Sequence, residues 1–201
     1  MNFPVAQPVP LPKIIGHRGV AGHAPENTLA AFRAASLMGL TWVEFDVMLS
    51  GDGNLVLIHD ETVDRTTNGT GKVSELTVTQ LKRLDAGSRF DPKFRRQRIP
   101  TIFEATESVM SYGLNANIEI KPAKGFEGET GWTLGRYLAT EWPQSLTAPI
   151  ISSFSIKALE AVAVEAPGFP RALLVGRVPR NWRALTTKLG CALLHCSQGH
   201  L

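Results

Sequence analysis

The stretch that decides the fold is Trp42–Leu49, with the sequence WVEFDVML. Side chains alternate between the two faces of a strand, so Glu44 and Asp46 lie on one face together with Trp42. Their carboxylates are then about 6–7 Å apart along the strand. The opposite face can pack against helices, since it carries Val43, Phe45 and Val47. Such a strand buries one face in a core and directs two carboxylates to the other side.

Strand-like and helix-like segments alternate on both sides of this stretch, which is typical of an α/β fold with parallel strands. The turn sequence SGDGN (Ser50–Asn54) links the stretch to the next apolar run and predicts a hairpin. We predict six barrel-type strands and one hairpin strand, at Lys13–Gly16, Trp42–Leu49, Leu55–His59, Asn117–Lys121, Pro149–Ser153, Arg171–Val175 and Cys191–His195.

Signals for helix starts lie between most of these strands. Thr77 with Gln80 and Thr101 with Glu104 form capping-box pairs, in which two side chains satisfy backbone N–H groups at a helix start. Single capping residues also begin predicted helices, at Asn27 or Thr28, Ser155 and Asn181.

Two segments do not follow the alternation. Residues 1–12 contain four prolines and are predicted to form an extended N-terminal leader. Residues 60–98 are rich in turn-forming residues around one short helix, and we interpret them as an inserted subdomain. The barrel domain then covers residues 13–201.

Bulk composition excludes several classes of protein. The chain has 201 residues with 43% hydrophobic and 19% charged residues, which is typical of a globular protein. No apolar run reaches the ~20 residues of a membrane span. The net charge is only +3, and the basic run Lys93–Arg98 is interpreted as a solvated loop, so no nucleic-acid partner is expected. Cys191 and Cys196 fit no metal or redox spacing and are predicted to be free thiols, as in a cytoplasmic protein.

The polar strand faces indicate a metal site. Asn117, Glu119 and Lys121 share one face of a second strand, as Glu44 and Asp46 do on the first. If helices cover the outside of a barrel, these faces point inward near the strand ends. Converging carboxylates repel one another, and a cation with oxygen ligands, Mg²⁺ or Ca²⁺, removes the conflict. A solvated strand face and a zinc site that includes a histidine remain the alternatives.

Four basic side chains are expected near the same strand ends. His17 ends the first predicted strand and His59 ends the hairpin strand, and two imidazoles suit acid–base chemistry near neutral pH. Arg18 and Lys121 can bind a phosphate as a planar fork and as a point charge. The alternative for each is a structural histidine or a salt bridge. With a cation, the four side chains indicate phosphoryl chemistry.

The motifs HRG, APENT, EFD, HD and IEIK together resemble those of the glycerophosphodiester phosphodiesterase family, from about Lys13 to the end of the chain. The resemblance implies a TIM-type (β/α)8 barrel with a small insertion after the second strand. It also implies hydrolysis of glycerophosphodiesters, such as glycerophosphocholine or glycerophosphoethanolamine, to glycerol 3-phosphate and an alcohol, with Mg²⁺ or Ca²⁺ as cofactor. Lysophospholipase D-type action and a non-catalytic phosphate-binding fragment are the alternative functions.

The same motifs imply roles for individual residues. His17 and His59 correspond to the catalytic pair, and Arg18 and Lys121 to phosphate contacts. The implied metal ligands are Glu44, Asp46 and Glu119, and the implied supporting residues are Glu26 and Asn27. An eight-stranded barrel usually needs about 250 residues, so we expect a barrel truncated after about six strands. Open barrel edges would then favour a homo-oligomer.

Overall fold

Helices and strands alternate along most of the chain in the computed structural model, which describes residues 2–7 and 9–200. The predicted leader and barrel domain therefore include three positions outside the described residues, namely Met1, Pro8 and Leu201. The strands are β1 Trp42–Leu49, β2 Leu55–Leu57, β3 Asn115–Ile120, β4 Ile150–Ser153, β5 Arg171–Val175 and β6 Leu193–Cys196. The α-helices are α1 Leu29–Leu37, α2 Val78–Leu81, α3 Ile102–Ser111, α4 Glu127–Thr140, α5 Ile156–Glu165 and α6 Trp182–Leu189.

The protein is α/β, and its six-stranded sheet has the order β2-β1-β3-β4-β5-β6. Contacts divide the chain into two compact units. The first is Pro12–Asn117, and the second combines Met1–Leu11 with Ile118–Leu201.

In the first unit, the predicted hairpin is confirmed. β1 and β2 pair antiparallel, with Val47 opposite Leu57 and Leu49 opposite Leu55. The hydroxyl of Ser50 donates to Asp52 and accepts from the backbone N–H of Asn54, which closes the turn. The hairpin therefore fixes the register of the strand that carries Glu44 and Asp46.

The face of β1 that carries Phe45 packs on a helix, as the sequence predicts. Thr28 caps α1 by accepting a hydrogen bond from the backbone N–H of Ala31. The ring of Phe32 on α1 lies 5.2 Å from the ring of Phe45, centroid to centroid. Both rings are fully buried, so the carboxylates of β1 are on the face away from α1.

The predicted strand Lys13–Gly16 is wrong. Only Gly16 pairs with β1, through a parallel bridge to Val43. The chain then turns through left-handed backbone at Arg18 and Gly19, with φ of 49° and 82°, so no second ladder residue follows. Ile14 is 66% exposed, which shows that the preceding residues lack the buried face of a sheet strand. The hairpin strand also stops at Leu57, two residues before His59.

Residues 60–98 lie within the first unit and contain little regular structure. They form α2 and two short 3-10 helices, Val73–Glu75 and Pro92–Phe94. The predicted capping boxes at the starts of α2 and α3 are both present. The assignment of 60–98 as an inserted subdomain stays a prediction.

In the second unit, β4 pairs parallel with β5, and β5 pairs parallel with β6. Helices α4 and α5 pack closely because α4 has a glycine at the contact: a Cβ on Gly131 would lie 2.3 Å from the carbonyl oxygen of Ala158. The described part of the leader is tied to this unit, since the backbone N–H of Phe3 donates to the carbonyl of Lys188. Cys191 and Cys196 are free thiols, as predicted. None of the described helices has the length and apolar character needed to cross a membrane.

Candidate active site

The turn after Gly16 holds Arg18 against β1. The backbone N–H of Arg18 donates to Oε2 of Glu44 at 2.8 Å, and that of Gly19 donates to the Glu44 carbonyl at 2.9 Å. The turn requires glycine at its start, because a Cβ on Gly16 would lie 1.9 Å from the carbonyl oxygen of Gly19. Backbone geometry therefore places both His17 and Arg18 beside a carboxylate of β1.

The guanidinium of Arg18 is paired with two acids. Its Nη1 donates to Oε1 of Glu26 at 2.9 Å, and its Nε lies 3.4 Å from Oδ2 of Asp46. The salt bridge that the sequence leaves open as an alternative is thus present. A phosphate contact by Arg18 stays a prediction.

Asn27 orients the carboxylate of Asp46. Its Nδ2 donates to Oδ2 of Asp46 at 2.8 Å, and its Oδ1 accepts from the Asp46 backbone N–H at 3.1 Å. Asn27 has φ of 55°, a left-handed conformation that asparagine tolerates better than most residues. Since Asn27 and Asp46 are both buried, this two-way contact leaves the carboxylate little freedom.

His59 forms a pair with the adjacent Asp60. Its Nδ1 lies 2.7 Å from Oδ1 of Asp60. Hydrogen bonding from Arg65 is the main cause that lowers the pKa of Asp60, to about 2. An ionised carboxylate only accepts hydrogen bonds, so Nδ1 of His59 is the donor. The acid–base role of His59 stays a prediction.

His17 has a different environment. Its side chain is 70% exposed, and its Nε2 lies 3.9 Å from Oε2 of Glu44, which is beyond hydrogen-bond distance. Partial burial, followed by the positive charge of Arg18, lowers the pKa of His17. The imidazole is therefore biased toward its neutral form.

Glu26 connects Arg18 to Arg65. It accepts from Nη1 of Arg18, and it accepts from Nη1 and Nη2 of Arg65 at 2.7 Å each. Burial alone would raise the pKa of Glu26, but the two guanidinium groups hold it below its usual range. A cavity of about 180 Å³ adjoins this pair and is lined also by Arg89 and Phe90.

In the second unit, Glu119 and Lys121 lie at the end of β3. The ammonium of Lys121 is 3.5 Å from Oε1 of Glu119 and 5.7 Å from the ring centroid of Phe154. The exposed fraction of the Lys121 side chain is 25%, so the side chain is only partly buried. Ser153 supports the strand end by donating to the Ile120 carbonyl at 2.8 Å.

Two of the three predicted metal ligands lie in the first unit. Glu44 and Asp46 are both buried on β1, and strand alternation puts their carboxylates on one face. The third predicted ligand, Glu119, belongs to the second unit, and a metal site formed by the three carboxylates stays a prediction. Carboxylate oxygens are hard donors that suit Mg²⁺ or Ca²⁺. Because all three predicted ligands are carboxylates, the predicted donor set fits these cations better than zinc.

Comparison with known proteins decides the family. A sequence model of the glycerophosphoryl diester phosphodiesterase family matches residues 17–199. The chain belongs to this family. The family fold is a TIM-type barrel, and the six-stranded α/β sheet is consistent with a truncated or open barrel of that type.

Individual members of the glycerophosphoryl diester phosphodiesterase family are similar over most of the chain. The glycerophosphodiester phosphodiesterase of Caldanaerobacter subterraneus is 42% identical over 165 residues, or 80% of this chain. Mouse glycerophosphodiester phosphodiesterase 1 is 39% identical over 142 residues, or 70% of this chain. The chain spans less than two thirds of both relatives, namely 65% of the first and 42% of the second.

One solved structure has a very similar fold. It is a phosphodiesterase of Oleispira antarctica in complex with the product sn-glycerol-3-phosphate, and it is 41% identical with a TM-score of 0.91. The match covers 95% of this chain and 77% of that one.

The sequence predicts no role for two residues that contact the candidate site residues. Asp60 is the second residue of the HD motif, so its position next to His59 could have pointed to it. Arg65 gives no such signal, because its partner Glu26 is 39 positions away and no strand or helix period relates the two.

Proposed function

We propose that this chain hydrolyses glycerophosphodiesters, such as glycerophosphocholine and glycerophosphoethanolamine, to glycerol 3-phosphate and an alcohol. One observation carries the proposal: the chain is 41% identical, with a TM-score of 0.91, to a phosphodiesterase that holds sn-glycerol-3-phosphate as product. The carboxylates of Glu44, Asp46 and Glu119, together with the His59–Asp60 pair, supply residue types that this reaction requires.

The proposed metal ligands are Glu44, Asp46 and Glu119. A divalent cation held there, Mg²⁺ or Ca²⁺, would supply positive charge to polarise a phosphoryl oxygen. Asn27 and the backbone N–H of Arg18 support this role, since they hydrogen-bond the carboxylates of Asp46 and Glu44. Such contacts fix the direction in which each carboxylate presents its remaining oxygen.

The proposed acid and base are His17 and His59. One imidazole removes a proton from the nucleophile, which is water or the glycerol 2-hydroxyl of the substrate. The other donates a proton to the oxygen of the leaving alcohol. With its Nδ1 donating to Asp60, His59 exchanges protons through Nε2 in either role.

Lys121 and Arg18 are the proposed phosphate contacts. Lys121 is a partly exposed point charge beside Glu119, and it can move toward a phosphate oxygen without breaking a short hydrogen bond, because its distance to Glu119 is 3.5 Å. Arg18 is held by Glu26 and Asp46, so its positive charge is fixed before substrate binds.

A release assay tests the function. Purified chain is treated with a chelator, then supplied with Mg²⁺ or Ca²⁺ and glycerophosphocholine, and glycerol 3-phosphate is measured enzymatically. We expect release only with added metal. In Glu44→Gln, we expect weaker metal binding by calorimetry and a rate at least about 100-fold lower, because an anionic ligand is lost while the side-chain shape is kept.

The matched control is Glu75→Gln, which makes the same substitution at an exposed glutamate paired with Lys72. It should leave both quantities near the parent values. Unchanged metal binding and turnover in Glu44→Gln would contradict the carboxylate site. Metal binding without glycerol 3-phosphate release would favour a phosphate-binding fragment, and activity confined to acylated substrates would favour lysophospholipase D-type action.

A further inference from the structure

We propose that Arg65 is a positioning residue that holds His59 through Asp60 and Arg18 through Glu26. The inference rests on the proposed function, because it assigns Arg65 a part in that reaction. Arg65 belongs to the segment 60–98, whereas Arg18 and Glu26 come from the turn before α1. The segment would thus take part in arranging the site.

The contacts of Arg65 use the whole guanidinium. Nε and Nη2 donate to the two oxygens of Asp60, at 2.6 and 3.1 Å. Nη1 and Nη2 donate to the two oxygens of Glu26, at 2.7 Å each. Two edges of one planar group therefore bind two carboxylates, each bidentately, which is a geometry that only arginine offers.

Each carboxylate in turn holds a residue of the proposed machinery. Asp60 accepts from Nδ1 of His59 at 2.7 Å. Glu26 accepts from Nη1 of Arg18 at 2.9 Å. The hydrogen bonds form one continuous series, in which Arg65 is the central member between the imidazole of His59 and the guanidinium of Arg18.

The positive charge of Arg65 keeps the carboxylate of Asp60 in place beside His59. Without Arg65, Asp60 loses a cationic partner that fixes both of its oxygens, and a carboxylate on a partly exposed side chain is then free to rotate. The hydrogen bond to Nδ1 of His59 would be made only part of the time. A histidine tautomer is set by the hydrogen bond of its other nitrogen, so Nε2 of His59 would carry a proton in part of the population.

The first experiment measures this tautomer without substrate. Nitrogen-15 histidine spectra of neutral His59, assigned with His59→Ala, report which ring nitrogen carries the proton. We expect the Nδ1–H form in the parent chain and a mixture of both tautomers in Arg65→Ala. Arg65→Lys should also give a mixture, since one ammonium cannot bind both carboxylates bidentately.

The control is Lys72→Ala, which removes a cation of the same segment that pairs with Glu75. It should leave the His59 spectrum unchanged. Thermal melts of all variants identify any loss of folding, and Arg65→Lys provides a second test if Arg65→Ala is unstable. A pure Nδ1–H form of His59 in a folded Arg65 variant would overturn the proposal.

The second experiment measures turnover of glycerophosphocholine. We expect Arg65→Ala to lower kcat by about 10–100-fold, as for other supporting residues, with a smaller change in KM. In a His59→Ala background the same substitution should cost less, because the imidazole that Arg65 positions is absent and only the contact with Arg18 through Glu26 remains to be lost. Equal costs in both backgrounds would overturn the proposal. A parent chain without activity would refute the proposed function, while the spectra would still decide whether Arg65 positions His59.

Discussion

At the scale of residues, two residues with left-handed backbone lie in the segment before α1 that carries His17, Arg18 and Asn27. Arg18 and Asn27 have φ of 49° and 55°, although neither is glycine. Such conformations cost of order 1 kcal/mol or more and persist where the surroundings impose them. Here the contacts are the hydrogen bonds to Glu44 and Asp46, which couple the strained backbone to the two carboxylates of β1.

Substrates with different leaving groups should show which of the two histidines, His17 or His59, is the general acid. We expect His17→Ala and His59→Ala each to lower turnover of glycerophosphocholine by about 10²–10⁴-fold, the range for acid–base groups. A p-nitrophenyl phosphodiester needs little protonation of its leaving oxygen. One variant should therefore recover most of its activity on that substrate, and this variant lacks the general acid.

The other variant lacks the base and should remain slow on both substrates. Rates of both variants with the two substrates, measured at one pH with saturating metal, check this expectation. The exposed His23→Ala serves as the matched control. Equal recovery of both active-site variants, or of neither, would contradict a division into one acid and one base.

At the scale of elements, Arg171 on β5 is unusual because arginine side chains are seldom fully buried. It is fully buried, and its guanidinium donates to five backbone carbonyls among residues 2–7 and 9–200. The acceptors come from the segments before β5, after α6 and near the N-terminus, namely Pro167, Phe169, Leu189, Gly190 and Pro4. Burial lowers the pKa of Arg171, but the five carbonyl acceptors stabilise its charge.

Arg171→Met should lower the free energy of unfolding by about 2–4 kcal/mol, because several buried carbonyls lose their donor. Arg136→Met is the matched control, since Arg136 is exposed and its guanidinium stacks on the ring of Trp132. Its effect should stay within about 0.5 kcal/mol. Urea unfolding of both variants checks the difference, and equal effects would show that Arg171 is not a stabilising centre.

Sequence patterns predict elements whose determinants are local. The alternation in Trp42–Leu49, the SGDGN turn and the capping boxes at Thr77 and Thr101 depend on neighbours in the chain, and all are confirmed. The predicted strand Lys13–Gly16 failed because its apolar pattern is short and its end is set by a tight turn around Gly16. Arg65 and Arg171 could not be predicted in their roles, since their partners are distant in sequence and follow no period.

At the scale of the whole molecule, the sheet order leaves β6 as a terminal strand. Its outer side has no strand neighbour among residues 2–7 and 9–200. Leu194 packs on an apolar cluster in the second unit that includes Leu159 and Leu173. Leu193 lies on the opposite face of β6 by strand alternation. A terminal strand with apolar side chains and free backbone groups favours pairing with another chain.

We therefore expect the 201-residue chain to self-associate as its concentration rises, through pairing of β6 with a second copy. Size-exclusion chromatography with light scattering measures this, with reductant present because Cys196 lies on the same strand. Leu193→Lys should weaken association, since a charge on a terminal strand opposes pairing. Leu37→Lys makes the same change at a leucine of α1 that is 78% exposed, and should leave association unchanged. A parent chain that stays monomeric at all concentrations would contradict the expectation. Loss of association in Leu37→Lys but not in Leu193→Lys would show that the copies associate through α1 and not through β6.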